Sequence, residues 1–372
     1  MSHLALHISR RGPGDRGSYR RMVAMTGGVI CLLVLAASWL APEAVMRAWL
    51  AATFVWTSVP MAALMLLMMM RLIPGAWNIE MMIATEAGCL LVPVAALAFV
   101  PILLGLRSLY PWVDQEQQTA FRAIYLSAPF FIGRTVLWFG ILYGLTILLI
   151  RRRTWSVPVS CFGLIAFTLG GTVVTTDWLM TLDPDFRSSG FGLYALSAQA
   201  CIALSGIAIM VLVSSGSQIR SPSVLGGLLL TAVLLWAYFS YMQYIVIWSS
   251  DFPPLVRWYL ERAQGFWGGV LWVFALIHGV AALLLILPPI LRRPGILLAL
   301  AYAILAGKVL ECAWLVLPAG GQEAGLLACA LFLLAVVGLG GIFVSVWSMA
   351  FDLRIVERLP KGVRRERYAG AS

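Results

Sequence analysis

Long runs of apolar residues, separated by short polar and basic segments, dominate the 372-residue chain. Each run has about 20 residues, the length that an α-helix needs to cross the hydrocarbon core of a bilayer. The pattern lacks the strict alternation of a lipid-facing barrel strand, and a helix satisfies its own backbone hydrogen bonds, so we interpret the runs as helices. We expect ten spans, at residues 23–41, 48–71, 83–106, 127–150, 157–179, 190–213, 224–247, 263–287, 295–317 and 324–350.

Composition agrees with this interpretation. Hydrophobic residues make up 61% of the chain and charged residues 11%, whereas a soluble domain carries about 25% charged residues. The predicted fold class is therefore all-α, a polytopic membrane protein. Its transmembrane domain of about ten helices covers residues 23–350, and polar, basic tails occupy residues 1–22 and 351–372.

The basic residues between the apolar runs are unevenly distributed. If the N-terminus is cytoplasmic, 18 Lys and Arg residues fall on the cytoplasmic side and 6 on the other side. Cytoplasmic loops of membrane proteins carry such an excess, so the bias predicts that both termini are cytoplasmic. The net charge of +10 is thus interpreted as an orientation signal, with the membrane lipid as its partner rather than nucleic acid.

Six ionisable residues lie inside the predicted spans. A charge in the bilayer is costly and usually has a partner and often a task. Lys308 and Glu311 are three residues apart and share a helical face, while Arg134 needs a partner from another helix, for which Asp177 is the first choice and Glu311 the second. The six residues are Glu86, Arg134, Asp177, His278, Lys308 and Glu311.

Two interpretations of these six residues stay open. In the functional one, Lys308 and Glu311 face a shared polar cavity that opens to the outside, and the six residues are candidates for a quinone site or a proton path. In the structural one, Lys308 and Glu311 only neutralise each other, Asp177 is a solvated helix end beside Trp178, and His278 is a packing residue. The stretch from Thr168 to Tyr194, with its acidic loop, is the centre of the functional interpretation.

The two halves of the chain resemble each other weakly. Spans two to five end in Asp177 followed by Trp178, and spans six to nine end in Glu311 followed by Trp314. This is the pattern expected of two parallel four-helix repeats.

Several cofactor sites are not expected. The six cysteines are scattered singly in apolar runs without metal-ligand spacing, so no metal site is predicted. A haem held by two histidines needs two imidazoles within the spans, and His278 is the single candidate there. The chemistry left is proton handling, or binding of an apolar molecule that other proteins oxidise or reduce.

Three segments resemble a known family. They are DWLMTLDPDFRSSGFGLY, which begins at Asp177, YFSYMQYIVIWSSDFPPLVRWYLERAQGFWGGVLWVFALIHG, which begins at Tyr238, and KVLECAWLVLP, which begins at Lys308. They resemble the ActF-like membrane subunits of alternative complex III, the quinol dehydrogenase membrane component in the NrfD/PsrC-like superfamily. Glu311 stands where that family usually has Asp, and the loop sequence DPDFRSS departs from its usual pattern.

The resemblance implies two four-helix bundles with a flanking helix at each end, in the bacterial inner membrane. It implies a second NrfD-like membrane subunit, an iron–sulfur subunit and multihaem cytochrome c subunits as partners. Haem c and iron–sulfur clusters would then lie in the partners, and this chain would hold no cofactor except quinone or quinol. Asp177, His278, Lys308 and Glu311 would serve proton passage or a quinone pocket. The alternatives are a proton-coupled secondary transporter and a purely structural membrane scaffold.

Overall fold

The computed structural model describes residues 13–115, 119–151, 156–215, 219, 221–320 and 325–358, and these residues form helices and connections without a strand. The principal helices are α1 (Pro13–Ala36), α2 (Pro42–Leu72), α3 (Ala76–Cys89), α4 (Val92–Leu104), α5 (Ala120–Tyr125), α6 (Ala128–Arg151), α7 (Ser156–Leu179), α8 (Phe191–Ser215), α9 (Pro222–Ser250), α10 (Pro253–Ala263), α11 (Gly265–Leu285), α12 (Pro294–Val316) and α13 (Gly325–Glu357). One-turn helices occupy Ala37–Trp39, Leu106–Leu109, Pro111–Val113, Met180–Leu182, Pro288–Leu291 and Leu317–Gly320.

The described helices confirm the prediction of an all-α polytopic membrane protein. Nine of them are long and apolar enough to cross a bilayer, and α3 with α4 passes the same test as a bent pair. The outermost helices reach into the predicted tails, since α1 begins at Pro13 and α13 continues to Glu357. Residues 1–12 and 359–372 of those tails lie outside the described part of the chain.

The third predicted span is not one continuous helix. Its two halves, α3 and α4, meet at an angle of 42° across Leu90 and Leu91. Pro93 lies in the first turn of α4. A proline lacks the backbone N–H and its ring clashes with the carbonyl four residues earlier, so the helix breaks before it.

Helix α2 lies at the centre of the molecule. It contacts α3, α4, α6, α7, α8, α12 and α13. Its residues are apolar around the whole circumference, which is the pattern of a buried helix. Small side chains such as Ala48, Ala51 and Ala52 alternate with Leu50 and Leu64, and all five are fully buried.

The remaining helices pack in groups around α2. Helices α6 and α7 pack against each other and against α2, and α6 also contacts α4. Helices α8, α9, α11 and α12 form a second group, in which α9 and α12 each contact the other three members. Helices α1 and α13 pack closely against each other, and α13 also packs against α2. A Cβ atom on Gly27 of α1 would lie 2.5 Å from the Gly338 carbonyl oxygen of α13, so this close approach requires glycine.

The beginning of α1 and the end of α13 lie together. Arg20 forms an ion pair with Asp352 at 2.6 Å. We call this end of the molecule the proximal face. The opposite end, the distal face, carries α5, α10 and the loop between α7 and α8.

Candidate functional site

The Lys308–Glu311 pair is confirmed and is completely buried in α12, with at most 1% of either side chain exposed. Lys308 Nζ lies 2.7 Å from Glu311 Oε2. On the other carboxylate oxygen, Oε1, Glu311 accepts hydrogen bonds from Trp236 Nε1 at 2.7 Å and from the Tyr194 hydroxyl. The ammonium also lies 3.4 Å from the centre of the Trp236 ring. Both charges are therefore satisfied within the protein, as a buried ion pair requires.

An aromatic cavity of about 710 Å³ lies beside this pair, between α8, α9, α10, α11 and α12. Its walls include Tyr194, Trp236, Trp258, Phe274, His278 and Trp314. Lys308 and Glu311 do not line it. The side chains of Trp236 and Tyr194, which both donate hydrogen bonds to Glu311, stand between the cavity and the ion pair.

His278 is a polar residue in this largely aromatic wall, and its ring nitrogens are buried. Its Nδ1 lies 2.6 Å from the Phe274 carbonyl oxygen. A carbonyl only accepts hydrogen bonds, so Nδ1 carries the proton and Nε2 of the neutral imidazole is an acceptor. Among the described residues, buried Nε2 has no hydrogen-bond partner. The ring packs against Gly307, where a Cβ atom would lie 2.6 Å from His278 Cε1, and its centre is 4.4 Å from that of Trp236.

The second ion pair joins α6 and α7. Arg134 Nε lies 2.6 Å from Asp177 Oδ2, which confirms the first choice of partner for Arg134. The Tyr125 hydroxyl donates to Asp177 Oδ1 at 2.9 Å, and Arg134 donates from Nη1 to the Tyr125 carbonyl at 3.0 Å. The guanidinium also stacks 4.1 Å from the centre of the Tyr125 ring. Burial and the Asp177 carboxylate raise the pKa of the Tyr125 hydroxyl to about 12.

A polar cavity of about 610 Å³ lies on the distal face next to this second pair. Tyr125, Thr181, Asp183, Asp185 and Arg187 are among its lining residues. It shares no lining residue with the aromatic cavity. The structure therefore places the two ion pairs beside two separate cavities rather than one shared cavity.

Glu86 belongs to neither pair. It is fully buried in α3 toward the proximal face and forms ion pairs with three arginines. Arg71 of α2 lies at 3.3 Å, Arg354 of α13 at 2.5 Å and Arg358 at 2.9 Å. This carboxylate ties α2, α3 and the end of α13 together.

Three residues of the sites were not among the predicted ones, namely Tyr125, Tyr194 and Trp236. Two signals pointed to Tyr194 and Trp236. Trp236 lies in the middle of a span, whereas membrane tryptophans concentrate at the interfaces, and Tyr194 puts a hydroxyl inside an apolar run. Tyr125 carries no such signal, because it lies in a polar connection between two spans. It reaches Asp177 because α5, which ends at Tyr125, folds back over that residue.

Comparison of the chain with protein-family models finds no match, and comparison with curated protein sequences finds no relative. The fold and the sites define a class, an all-α polytopic membrane protein in whose described part the Arg134–Asp177 and Lys308–Glu311 ion pairs are buried, each next to a cavity.

Proposed function

We propose that the chain is an integral membrane subunit of a quinol-oxidising respiratory complex of the alternative complex III type, in the bacterial inner membrane with cytoplasmic termini. The observation that carries this proposal is the aromatic cavity with His278 among its wall residues, whose Nε2 is buried and has no hydrogen-bond partner among the described residues. The distal face, which corresponds to the outer side, carries six of the basic residues in the predicted topology.

The chemistry of the cavity suits a quinol. Its volume of about 710 Å³ lies in the range of small-molecule sites, which are mostly apolar with a few placed polar groups. Trp236, Trp258 and Phe274 make the wall largely aromatic, which suits the apolar ring of a quinol head group. His278 Nε2 would accept a hydrogen bond from a quinol hydroxyl, and this bond would satisfy the buried nitrogen.

The helix contacts support an NrfD-like arrangement. In this proposal α2, α3–α4, α6 and α7 form the first four-helix bundle, and α8, α9, α11 and α12 form the second. Helices α1 and α13 are the flanking helices. A short helix precedes the third member of each bundle, α5 before α6 and α10 before α11, as two parallel repeats would have it.

In this proposal the chain is not catalytic alone. It contributes to the quinone site and to proton passage, while an iron–sulfur subunit and multihaem cytochrome c subunits carry the electrons away and a second NrfD-like subunit lies beside it. The two ion pairs are the groups through which protons would pass, since each contains a positioned carboxylate that can take up and release a proton.

Gentle solubilisation from the native membrane tests the assembly. We expect c-type haem, an iron–sulfur subunit and a second NrfD-like chain to purify with this protein, as detected by visible spectra and mass spectrometry. In that complex His278→Leu should slow quinol-driven electron transfer. Ile277→Leu, which changes the neighbouring side chain outside the cavity wall, is the matched control. A colourless chain that purifies alone would refute the proposal.

A proton-coupled secondary transporter is the second candidate, and the break between α3 and α4 favours it. Transporters use discontinuous helices at the midplane, in corresponding positions of both repeats. In the described second half, α9 and α11 run without such a break. Uptake of a polar solute into liposomes that contain the isolated protein would support the transporter.

A purely structural scaffold is the third candidate. In that case the complex should oxidise quinol at the normal rate in the Asp177→Asn and Glu311→Gln variants.

A further inference from the structure

The two buried ion pairs have the same three-part construction. In each, a tyrosine hydroxyl donates to the carboxylate, a basic side chain neutralises the carboxylate, and that base stacks on an aromatic ring. One set is Tyr125, Asp177 and Arg134, with the guanidinium on the Tyr125 ring. The other set is Tyr194, Glu311 and Lys308, with the ammonium on the Trp236 ring.

In both sets the tyrosine also lines a cavity, and the carboxylate does not. Tyr194 is in the wall of the aromatic cavity, and Tyr125 is in the wall of the polar cavity on the distal face. Asp177 and Glu311 are 2% and 1% exposed and line neither cavity. A phenolic oxygen that donates its proton to a carboxylate can still accept a hydrogen bond from a group in the cavity.

We infer that Tyr194 and Tyr125 are the residues that transfer protons between the cavities and the buried carboxylates. Tyr194 takes a proton from a ligand hydroxyl in the aromatic cavity and passes its own to Glu311. Tyr125 exchanges protons between Asp177 and water in the distal polar cavity. The first half of this inference rests on the proposed quinol site, and the second half does not.

The proton step at Tyr194 balances without an oxidant. The ligand O–H bond breaks and a new O–H bond forms on the phenolic oxygen, while the original phenolic proton moves to Glu311 Oε1. The tyrosine ends neutral, the ligand is left as its oxyanion and Glu311 becomes a neutral acid. Tyr125 performs the same exchange with water, in either direction, at Asp177 Oδ1.

The surroundings of Glu311 contain several other titratable groups. Lys308 and Cys312 lie on its own helix, Tyr194 and Cys201 on α8, and His278 on α11. Among these, Lys308 and Tyr194 make a direct hydrogen bond to the carboxylate. Lys308 lies away from the cavity wall, so Tyr194 is the titratable side chain that touches both the cavity and Glu311.

The test at Tyr194 uses the full-length protein and a short-tailed naphthoquinol as the probe. Quenching of tryptophan fluorescence reports binding, and infrared difference spectra report a protonated carboxyl that is absent in Glu311→Gln. We expect Tyr194→Phe to bind naphthoquinol within about fivefold of the native protein, the cost of about one hydrogen bond, and to lose the carboxyl band. The control Tyr259→Phe removes a hydroxyl that lines the same cavity but bonds to Gln243, and should keep the band.

The test at Tyr125 needs no ligand. Deuteron exchange between water and the Asp177 carboxylate is started by a jump into acidic D₂O and followed by infrared spectroscopy, with the carboxyl band assigned by Asp177→Asn. We expect Tyr125→Phe to slow this exchange by about 100-fold, the usual contribution of a positioned acid–base group. Tyr110→Phe is the control, because its hydroxyl donates to the Trp178 carbonyl at 2.8 Å and not to an acid.

The outcomes separate the inference from the proposed function. If the native protein binds naphthoquinol and Tyr194→Phe keeps the carboxyl band, the inference is wrong at Glu311 while the quinol site stands. If the native protein does not bind naphthoquinol, the proposed function is wrong, and exchange at Asp177 alone decides the inference. Equal rates of deuteron exchange at Asp177 in Tyr125→Phe and Tyr110→Phe would refute the inference for Tyr125.

Discussion

Arg134 Nε lies 2.6 Å from Asp177 Oδ2, although 43 residues separate the two along the chain. Breaking a buried ion pair from one side leaves an uncompensated charge, which costs about 3–5 kcal/mol. We therefore expect Asp177→Asn and Arg134→Gln each to lower the free energy of unfolding by about that amount, and the double variant to lose less than the sum. Unfolding in mixed detergent micelles measures this.

The control for these variants is the ion pair of Arg257 and Asp185 on the surface. The two side chains are 61% and 63% exposed, respectively. Exposed pairs contribute about 0–1 kcal/mol, so Arg257→Gln should have a small effect. Equal losses in Arg257→Gln and Arg134→Gln would show that the buried pair does not stabilise the helices as described.

Glu86 holds the end of α13 through Arg354 and Arg358. Without this carboxylate, the guanidinium groups around it repel one another and the end of the helix should fray. We expect trypsin to cut after Arg354 much faster in Glu86→Gln than in the native protein. Glu357→Gln also removes a carboxylate bonded to Arg354, but that one is 57% exposed, so it should change the cleavage rate little.

Gly307 allows the His278 ring to lie directly against α12. A methyl group at this position would come within 2.6 Å of Cε1, and the imidazole would have to move. We expect Gly307→Ala to weaken binding of a short-tailed naphthoquinol about tenfold, or about 1.4 kcal/mol. Gly295→Ala on the same helix meets nothing within 4 Å. Equal affinities in the two variants would place the ligand away from His278.

Gly27 and Gly28 are neighbours in α1 with opposite surroundings. A Cβ atom on Gly27 would collide with the backbone of α13, while one on Gly28 meets nothing within 4 Å. Backbone atoms cannot yield as a side chain can, so Gly27→Ala should cost about 1–3 kcal/mol of stability by forcing the helices apart. Gly28→Ala should be neutral. Thermal unfolding in detergent compares them.

Alkaline pH should lower the free energy of unfolding of the native protein more than that of the Tyr125→Phe variant. An unfolded tyrosine has a pKa of about 10, and in the folded protein the pKa of Tyr125 is raised to about 12. The folded state thus holds this proton more tightly, and the stability it contributes is present below pH 10 and is lost as the pH rises toward 12. The difference in unfolding free energy between the two proteins should shrink across that window. A constant difference would contradict the raised pKa.

The lengths of the apolar runs predicted nearly all of the membrane-spanning helices, because a segment that crosses a bilayer must be both long enough and apolar. The break between α3 and α4 is the exception, although Pro93 was visible in the sequence. Proline lowers the stability of a helix, but tertiary packing decides whether the helix breaks, as it does at Pro93 and does not at Pro60 within α2.

The sequence by itself determined which charges needed partners, because spacing puts Lys308 and Glu311 on one face and leaves Arg134 without an acid in its own helix. Only the tertiary structure decided how each helix is rotated. That rotation brings Tyr194 and Trp236 onto Glu311, folds Tyr125 over Asp177, and separates the two cavities. These contacts join distant segments, and an apolar run carries little information about which of its faces meets a neighbour and which meets lipid.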